Sequence, residues 1–171
     1  TDTTTIPHGW VNAITEDSQN NLWIGTNQKT IGYLKSDGSW TRVKLKGMED
    51  WDRDGRAWWW GFISDIKPYE DKVIVSSNGN GLFILSNNYE RHYTSEQKEI
   101  NIITEIFVAN KRIFVATGKG LYEFDLKKEE FVKTKISSPV FGFANGNNPD
   151  QFYVSTNDKV FSYDYQKNSM V

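Results

Sequence analysis

A short apolar run closed by a glycine and a hydroxyl, Leu22-Trp23-Ile24-Gly25-Thr26, is restated three times along the chain. The later versions are Val73-Ile74-Val75-Ser76-Ser77, Ile113-Phe114-Val115-Ala116-Thr117 and Phe152-Tyr153-Val154-Ser155-Thr156. With the second residue of each taken as equivalent, Trp23, Ile74, Phe114 and Tyr153 stand 51, 40 and 39 residues apart. A period near forty marks one supersecondary unit repeated. Ahead of each run lies a segment with apolar residues three apart, namely Val11 and Ile14, Ile63 and Ile66, Ile103 and Ile106, Val140 and Phe143. Behind each run come Asn27 to Thr30, Asn78 to Gly81, Gly118 to Gly120 and Asn157 to Lys159. Glycine and asparagine in these stretches tolerate the positive φ that tight hairpins need. A third apolar segment follows, at Ile31 to Leu34, Leu82 to Leu85, Leu121 to Phe124 and Val160 to Tyr163.

A fourth strand is expected after another polar turn, at Trp40 to Leu45, Arg91 to Thr94, Phe131 to Thr134 and, barely, Met170-Val171. Four short antiparallel strands in about forty residues is the make-up of a β-propeller blade. The second segments are apolar at consecutive positions because a blade is covered on both faces by its neighbours. The expected fold is therefore all-β, one propeller segment over 1–171. Its four consecutive four-stranded antiparallel blades fall at 11–45, 63–95, 103–134 and 140–171. Ser95 to Ile103 reads as a loop with at most one helical turn. An open arc of four blades leaves an apolar face at each end, so the chain is expected either to belong to a larger propeller or to self-associate through those faces.

Composition narrows the function classes. A net charge of −2 and a pI near 5.7 lack the basic field of a nucleic-acid binder. The absence of cysteine excludes a disulfide framework and thiolate metal sites. No apolar run is long enough to span a bilayer, and no secretory leader precedes the polar start from Thr1 to Ile6. The chain is expected to be a fragment whose targeting and membrane segments lie outside it. No cofactor is expected.

The first interval exceeds the others, and the excess falls in an insertion at 47–60 that holds four of the seven tryptophans. Insertions in repeat proteins usually map to loops on one face, often the binding face. Trp51 and Trp58 could stack on a sugar ring while Asp52, Arg53 and Arg56 bond its hydroxyls, so these five are the candidate ligand contacts. The competing reading is packing, since Trp58-Trp59-Trp60 runs directly into the strand at Ile63. Asp52-Arg53-Asp54-Gly55 resembles the start of a calcium loop but lacks the closing glutamate, so no metal is expected. His8 and His92 have no nucleophile pattern around them. The hydroxyls Thr26, Ser77, Thr117 and Thr156 recur once per unit, which marks a structural role. No catalytic constellation is visible, and the segment is expected not to be an enzyme.

Asn20-Asn21-Leu22-Trp23-Ile24-Gly25-Thr26, preceded by Val11-Asn12-Ala13-Ile14-Thr15-Glu16-Asp17, resembles the two-component regulator propeller repeat. Ala116-Thr117-Gly118-Lys119-Gly120-Leu121-Tyr122 supplies the second half of the motif, and Asn80-Gly81-Leu82-Phe83 a shorter version. The first unit departs from it with Asn20 in place of glycine and Thr30-Ile31-Gly32 in place of Gly-Leu-Tyr. The resemblance implies a periplasmic sensing module of a membrane-bound hybrid regulator, contacting neighbouring blades or domains of its parent protein and responding to an oligosaccharide. The alternative is a periplasmic or secreted propeller acting as an interaction scaffold, or as a lyase-like enzyme with its site at the ring's centre.

Overall fold

The computed structural model describes residues 9–48, 61–86 and 89–170. These residues form four sheets, each built from four consecutive antiparallel strands laid side by side in chain order. Blade 1 comprises β1 (Val11–Glu16), β2 (Leu22–Thr26), β3 (Ile31–Leu34) and β4 (Trp40–Val43). Blade 2 comprises β5 (Ile63–Tyr69), β6 (Lys72–Ser77), β7 (Gly81–Ser86) and β8 (Tyr89–Tyr93). Blade 3 comprises β9 (Ile103–Ala109), β10 (Arg112–Thr117), β11 (Gly120–Asp125) and β12 (Glu130–Lys133). Blade 4 comprises β13 (Val140–Asn145), β14 (Gln151–Thr156), β15 (Val160–Asp164) and β16 (Ser169–Met170). The stretch read as a loop between the second and third units carries a 3-10 turn at Lys98–Asn101.

The first strands β1, β5, β9 and β13 pack against one another in that order and form the inner wall of a propeller arc. Between successive blades lie three apolar cores, and the middle strands of blades 2 and 3 each serve two of them. Val73 and Val75 face blade 1, whereas Ile74 between them faces blade 3. Likewise Ile113 and Val115 join the core with blade 2, and Phe114 and Ala116 the core with blade 4. Side chains alternate across a strand, so a sheet covered on both faces needs an apolar residue at every step. Outside these cores, Arg112 grips both carboxylate oxygens of Glu123 at 2.7 and 2.6 Å and donates to the Tyr165 carbonyl at 2.9 Å, tying blade 3 to the end of blade 4.

Apolar residues three apart would lie on opposite faces of a regular strand. Here the ladder between first and second strands slips at one residue in every blade, at Asn12, Ser64, Thr104 and Phe141. Such a bulge inserts one unpaired residue. It returns Ile66 to the face of Ile63 and Ile106 to the face of Ile103, so both members of each pair enter one core.

The hairpin turns are built as their residue types suggest. Gly81 and Gly120 sit at φ of 77° and 129°, and a Cβ on either would stand 2.3 Å from a backbone oxygen, of Tyr93 and Ile136 respectively. Three of the four recurring hydroxyls close the turn that follows them. Thr117 donates to the Gly120 carbonyl at 2.8 Å, Thr156 to the Lys159 carbonyl at 3.1 Å, and Thr26 meets the Thr30 hydroxyl at 2.7 Å. Ser77 differs, its hydroxyl oxygen being buried without a hydrogen-bond partner.

Candidate functional site

Trp51, Asp52, Arg53, Arg56 and Trp58, the ligand contacts expected from the sequence, lie outside the described residues, as does the Asp52-Arg53-Asp54-Gly55 stretch. Among the described residues three features have the geometry to meet a ligand or a partner: a groove between blades 1 and 2, the inner wall, and the two end faces.

The groove is built on the acidic turn of the first blade. Asp17 receives the Trp23 indole N–H at 2.7 Å, the Asn21 amide at 2.9 Å and the backbone N–H groups of Gln19 and Asn21 at 2.8 and 2.9 Å. Burial pulls its carboxyl upward, but the donors from Trp23, Asn21 and Gln19 outweigh it and hold Asp17 below the usual aspartate range. Asn20 adopts the left-handed conformation that the tight turn demands, with φ of 60°. The indole so fixed stacks obliquely on Tyr33, centroids 4.6 Å apart. Tyr33, with the core residue Trp23 packed behind it at 6% exposure, forms one wall of an inter-blade groove of about 600 Å³. Asp71 and Arg91 of blade 2 and Lys46 border it. Lys46 donates its backbone N–H to Glu90 at 2.6 Å, which binds the segment after β4 to the outer strand of blade 2. The result is a cleft with an aromatic wall and a rim of both charge signs. Trp23 and Tyr33 were legible in the sequence only as strand residues, since nothing in their spacing distinguishes a ring in a core from one lining a cleft.

Along the inner wall each blade reaches across to the next. The bulged residue supplies the first link: Asn12 Nδ2 donates to the Ile63 carbonyl at 3.2 Å, Ser64 Oγ to the Ile103 carbonyl at 2.6 Å and Thr104 Oγ1 to the Val140 carbonyl at 3.1 Å. One residue later a carboxylate supplies the second link. Asp65 Oδ2 accepts the Ile106 N–H at 2.9 Å and Glu105 Oε2 the Phe143 N–H at 3.0 Å, while blade 1 has Ala13 at this place. Burial lifts Asp65 above the ordinary aspartate value despite the Ile106 N–H and the Lys67 ammonium at 3.2 Å. Burial lifts Glu105 likewise; the Phe143 N–H works against it, and the Asp65 charge adds to the rise. These carboxylates are occupied in holding strand edges. The second histidine is also committed to structure, stacked on Phe83 at 4.1 Å with Nε2 at 2.6 Å from the Asn80 carbonyl.

The arc ends in open faces. Ile14 is 61% exposed although its counterparts Ile66 and Ile106 are at 1% and 0%, and Val160 is 68% exposed although its counterparts Ile31, Leu82 and Leu121 are all at 1% or below. Among the described residues, blade 4 does not pack against blade 1.

Residues 5–28 match the family model described as two component regulator propeller. No curated protein sequence gives a match. Among solved structures, the chain is similar to the extracellular domain of a protein assigned as a hybrid two component system of B. thetaiotaomicron, with a TM-score of 0.72 and 13% identity, over 97% of this chain and 25% of that one. It is similar also to the extracellular domain of a protein assigned as a one component system of the same organism, with a TM-score of 0.68 and 14% identity over 99% and 22% of the two chains. The WD40 domain of Neurospora crassa Pan2 matches with a TM-score of 0.68 and 15% identity over 95% and 48%. At these identities the shared property is the propeller fold. The chain spans about a quarter of the length of the two bacterial extracellular domains.

Proposed function

We propose, on the match of residues 5–28 to the two component regulator propeller model, that this chain is an extracytoplasmic, periplasmic sensing module of a bacterial two-component regulator, one portion of a larger propeller, and that it binds without catalysing. Its ligand is an oligosaccharide held in the groove between blades 1 and 2. The observation that carries this reading is the groove itself, about 600 Å³ with the Trp23–Tyr33 pair on one side and Lys46, Asp71 and Arg91 on the rim. Aromatic faces take the apolar face of a sugar ring, and mixed charge at the rim suits its hydroxyls. A ligand there touches two blades at once, which is how occupancy would alter their relative setting. The lyase-like alternative has less support, since Asp65 and Glu105 each accept a backbone N–H of the following blade.

Isothermal titration with a panel of neutral and acidic oligosaccharides tests the reading. At least one class is expected to bind, and Tyr33→Ala is expected to weaken it by about tenfold, a stacked ring being worth about 0.5–1.5 kcal/mol beyond the area it buries. A panel without binding, or a Tyr33→Ala chain that binds as well as the native one, would overturn it. The scaffold reading has its own support in the exposed Ile14 and Val160, which concern partners rather than ligands.

A further inference from the structure

We infer that the open face of blade 1 is the receiving half of a blade junction, and that its partner is a further blade of this repeat with a hydroxyl or amide at its bulged position and a carboxylate one residue later. This rests on the reading of the chain as one portion of a larger propeller and deepens it by stating the partner's chemistry.

The three junctions inside the chain define what such a face receives. In each, the first and fourth residues of the incoming blade's inner strand pack on the blade before it, as Ile63 and Ile66, Ile103 and Ile106, and Val140 and Phe143 do. Val11 and Ile14 occupy these places in blade 1 and are 49% and 61% exposed. In each junction the carbonyl of that first residue accepts from Asn12, Ser64 or Thr104 of the preceding blade. In two of the three, the N–H of the fourth residue is taken by Asp65 or Glu105. The inner strand is the edge of its sheet, and its outward N–H and C=O groups need partners when a neighbour covers them. On blade 1 the corresponding groups are the Val11 carbonyl and the Ile14 N–H.

Blade 4 cannot be that partner on the same terms. At the bulged position it carries Phe141, and one residue later Gly142, so it has neither the donor nor the acceptor. A ring closed by blade 4 on blade 1, within one chain or between two copies, would bury the Val11 carbonyl and the Ile14 N–H without side-chain partners, a cost that native junctions avoid.

Two measurements test the inference. In the first, a copy of residues 103–139 is joined to Val11 as the original is joined to Val140, and a control copy carries Thr104→Phe and Glu105→Gly. Hydrogen exchange of the Ile14 amide is expected to slow by about tenfold or more with the first copy, the range of a hydrogen bond to a charged group, and not with the control. Equal protection by both copies would mean that the face takes a blade of any chemistry, which sinks the inference and leaves the larger-propeller reading standing. Protection by neither would sink both. The second measurement needs no graft: light scattering of the native chain is expected to show no head-to-tail association. A dimer dissolved by Ile14→Glu and equally by Val160→Glu would make blade 4 the partner and overturn the inference.

Discussion

Replacing Asp65 tests directly whether the inner-wall carboxylates hold the blades together. Asp65 bridges two strands, its Oδ2 accepting the Ile106 N–H at 2.9 Å while Oδ1 accepts its neighbour Ile66 N–H at 2.8 Å. Both isoleucines are buried, so Asp65→Ala leaves two enclosed donors without a partner. At about 1–3 kcal/mol for each unsatisfied group, softened by water entering from the axis, the expected loss is about 2–4 kcal/mol. Against a typical total of about 5–15 kcal/mol that is a large share, and in a chain of this size it corresponds to a melting point lower by roughly 5–15 °C. Asp65→Asn should lose less than Asp65→Ala, because its single amide oxygen still accepts one of the two N–H groups and no charge is buried, although its NH2 leaves the other without an acceptor. The direction of the pKa shift makes the same point. Burial raises the folded value above the ordinary one, so the folded chain binds the extra proton between the two values, and this group's contribution falls as pH rises through that window. At neutral pH the charged form costs stability, which Asp65→Asn removes, together with the associated pH dependence. Urea unfolding of the three proteins at neutral pH and at a pH just above the ordinary aspartate value, with exchange of the Ile106 amide followed in parallel, measures both effects. An Asp65→Ala chain within about 0.5 kcal/mol of the native one, or an Asp65→Asn chain damaged as badly as Asp65→Ala, would refute the reasoning.

Asp17 has the opposite linkage: its folded value is depressed, so its contribution is present above the ordinary aspartate value and is lost as pH falls through the folded one. Asp17→Ala, which leaves the Trp23 indole N–H without its acceptor, is expected to cost about 1–3 kcal/mol at neutral pH and less in acid, measured by tryptophan-fluorescence melts. Gly25→Ala would place a methyl 2.3 Å from Ile63 Cγ2 at the first junction and is expected to cost about 1–3 kcal/mol by overpacking, read as a lower denaturation midpoint.

The repeat and its strands were legible because their causes are local. Consecutive apolar residues such as Val73-Ile74-Val75 specify a strand covered on both faces, and glycine or asparagine after the hydroxyl specifies a tight turn. Even the bulge had a trace in the sequence: apolar residues three apart fit neither the strand period nor one face of a regular strand, and the slip at Asn12, Ser64, Thr104 and Phe141 resolves the mismatch. The side-chain roles at those bulges were not legible, because a serine or threonine in a strand reads the same whether it faces water or the carbonyl of a blade some forty residues away. The candidate site followed the same division. Tryptophan enrichment singled out Trp51 and Trp58, but Trp23 and Tyr33 line a cleft only because blade 2 packs beside them at a distance that leaves about 600 Å³ open. By itself the sequence determined the repeated unit, its strands and its turns, since propensity and periodicity act over a few residues. Only the tertiary structure decided which positions meet another blade, which carboxylates lose their water and which apolar faces stay open, because those depend on the packing of segments distant in the chain.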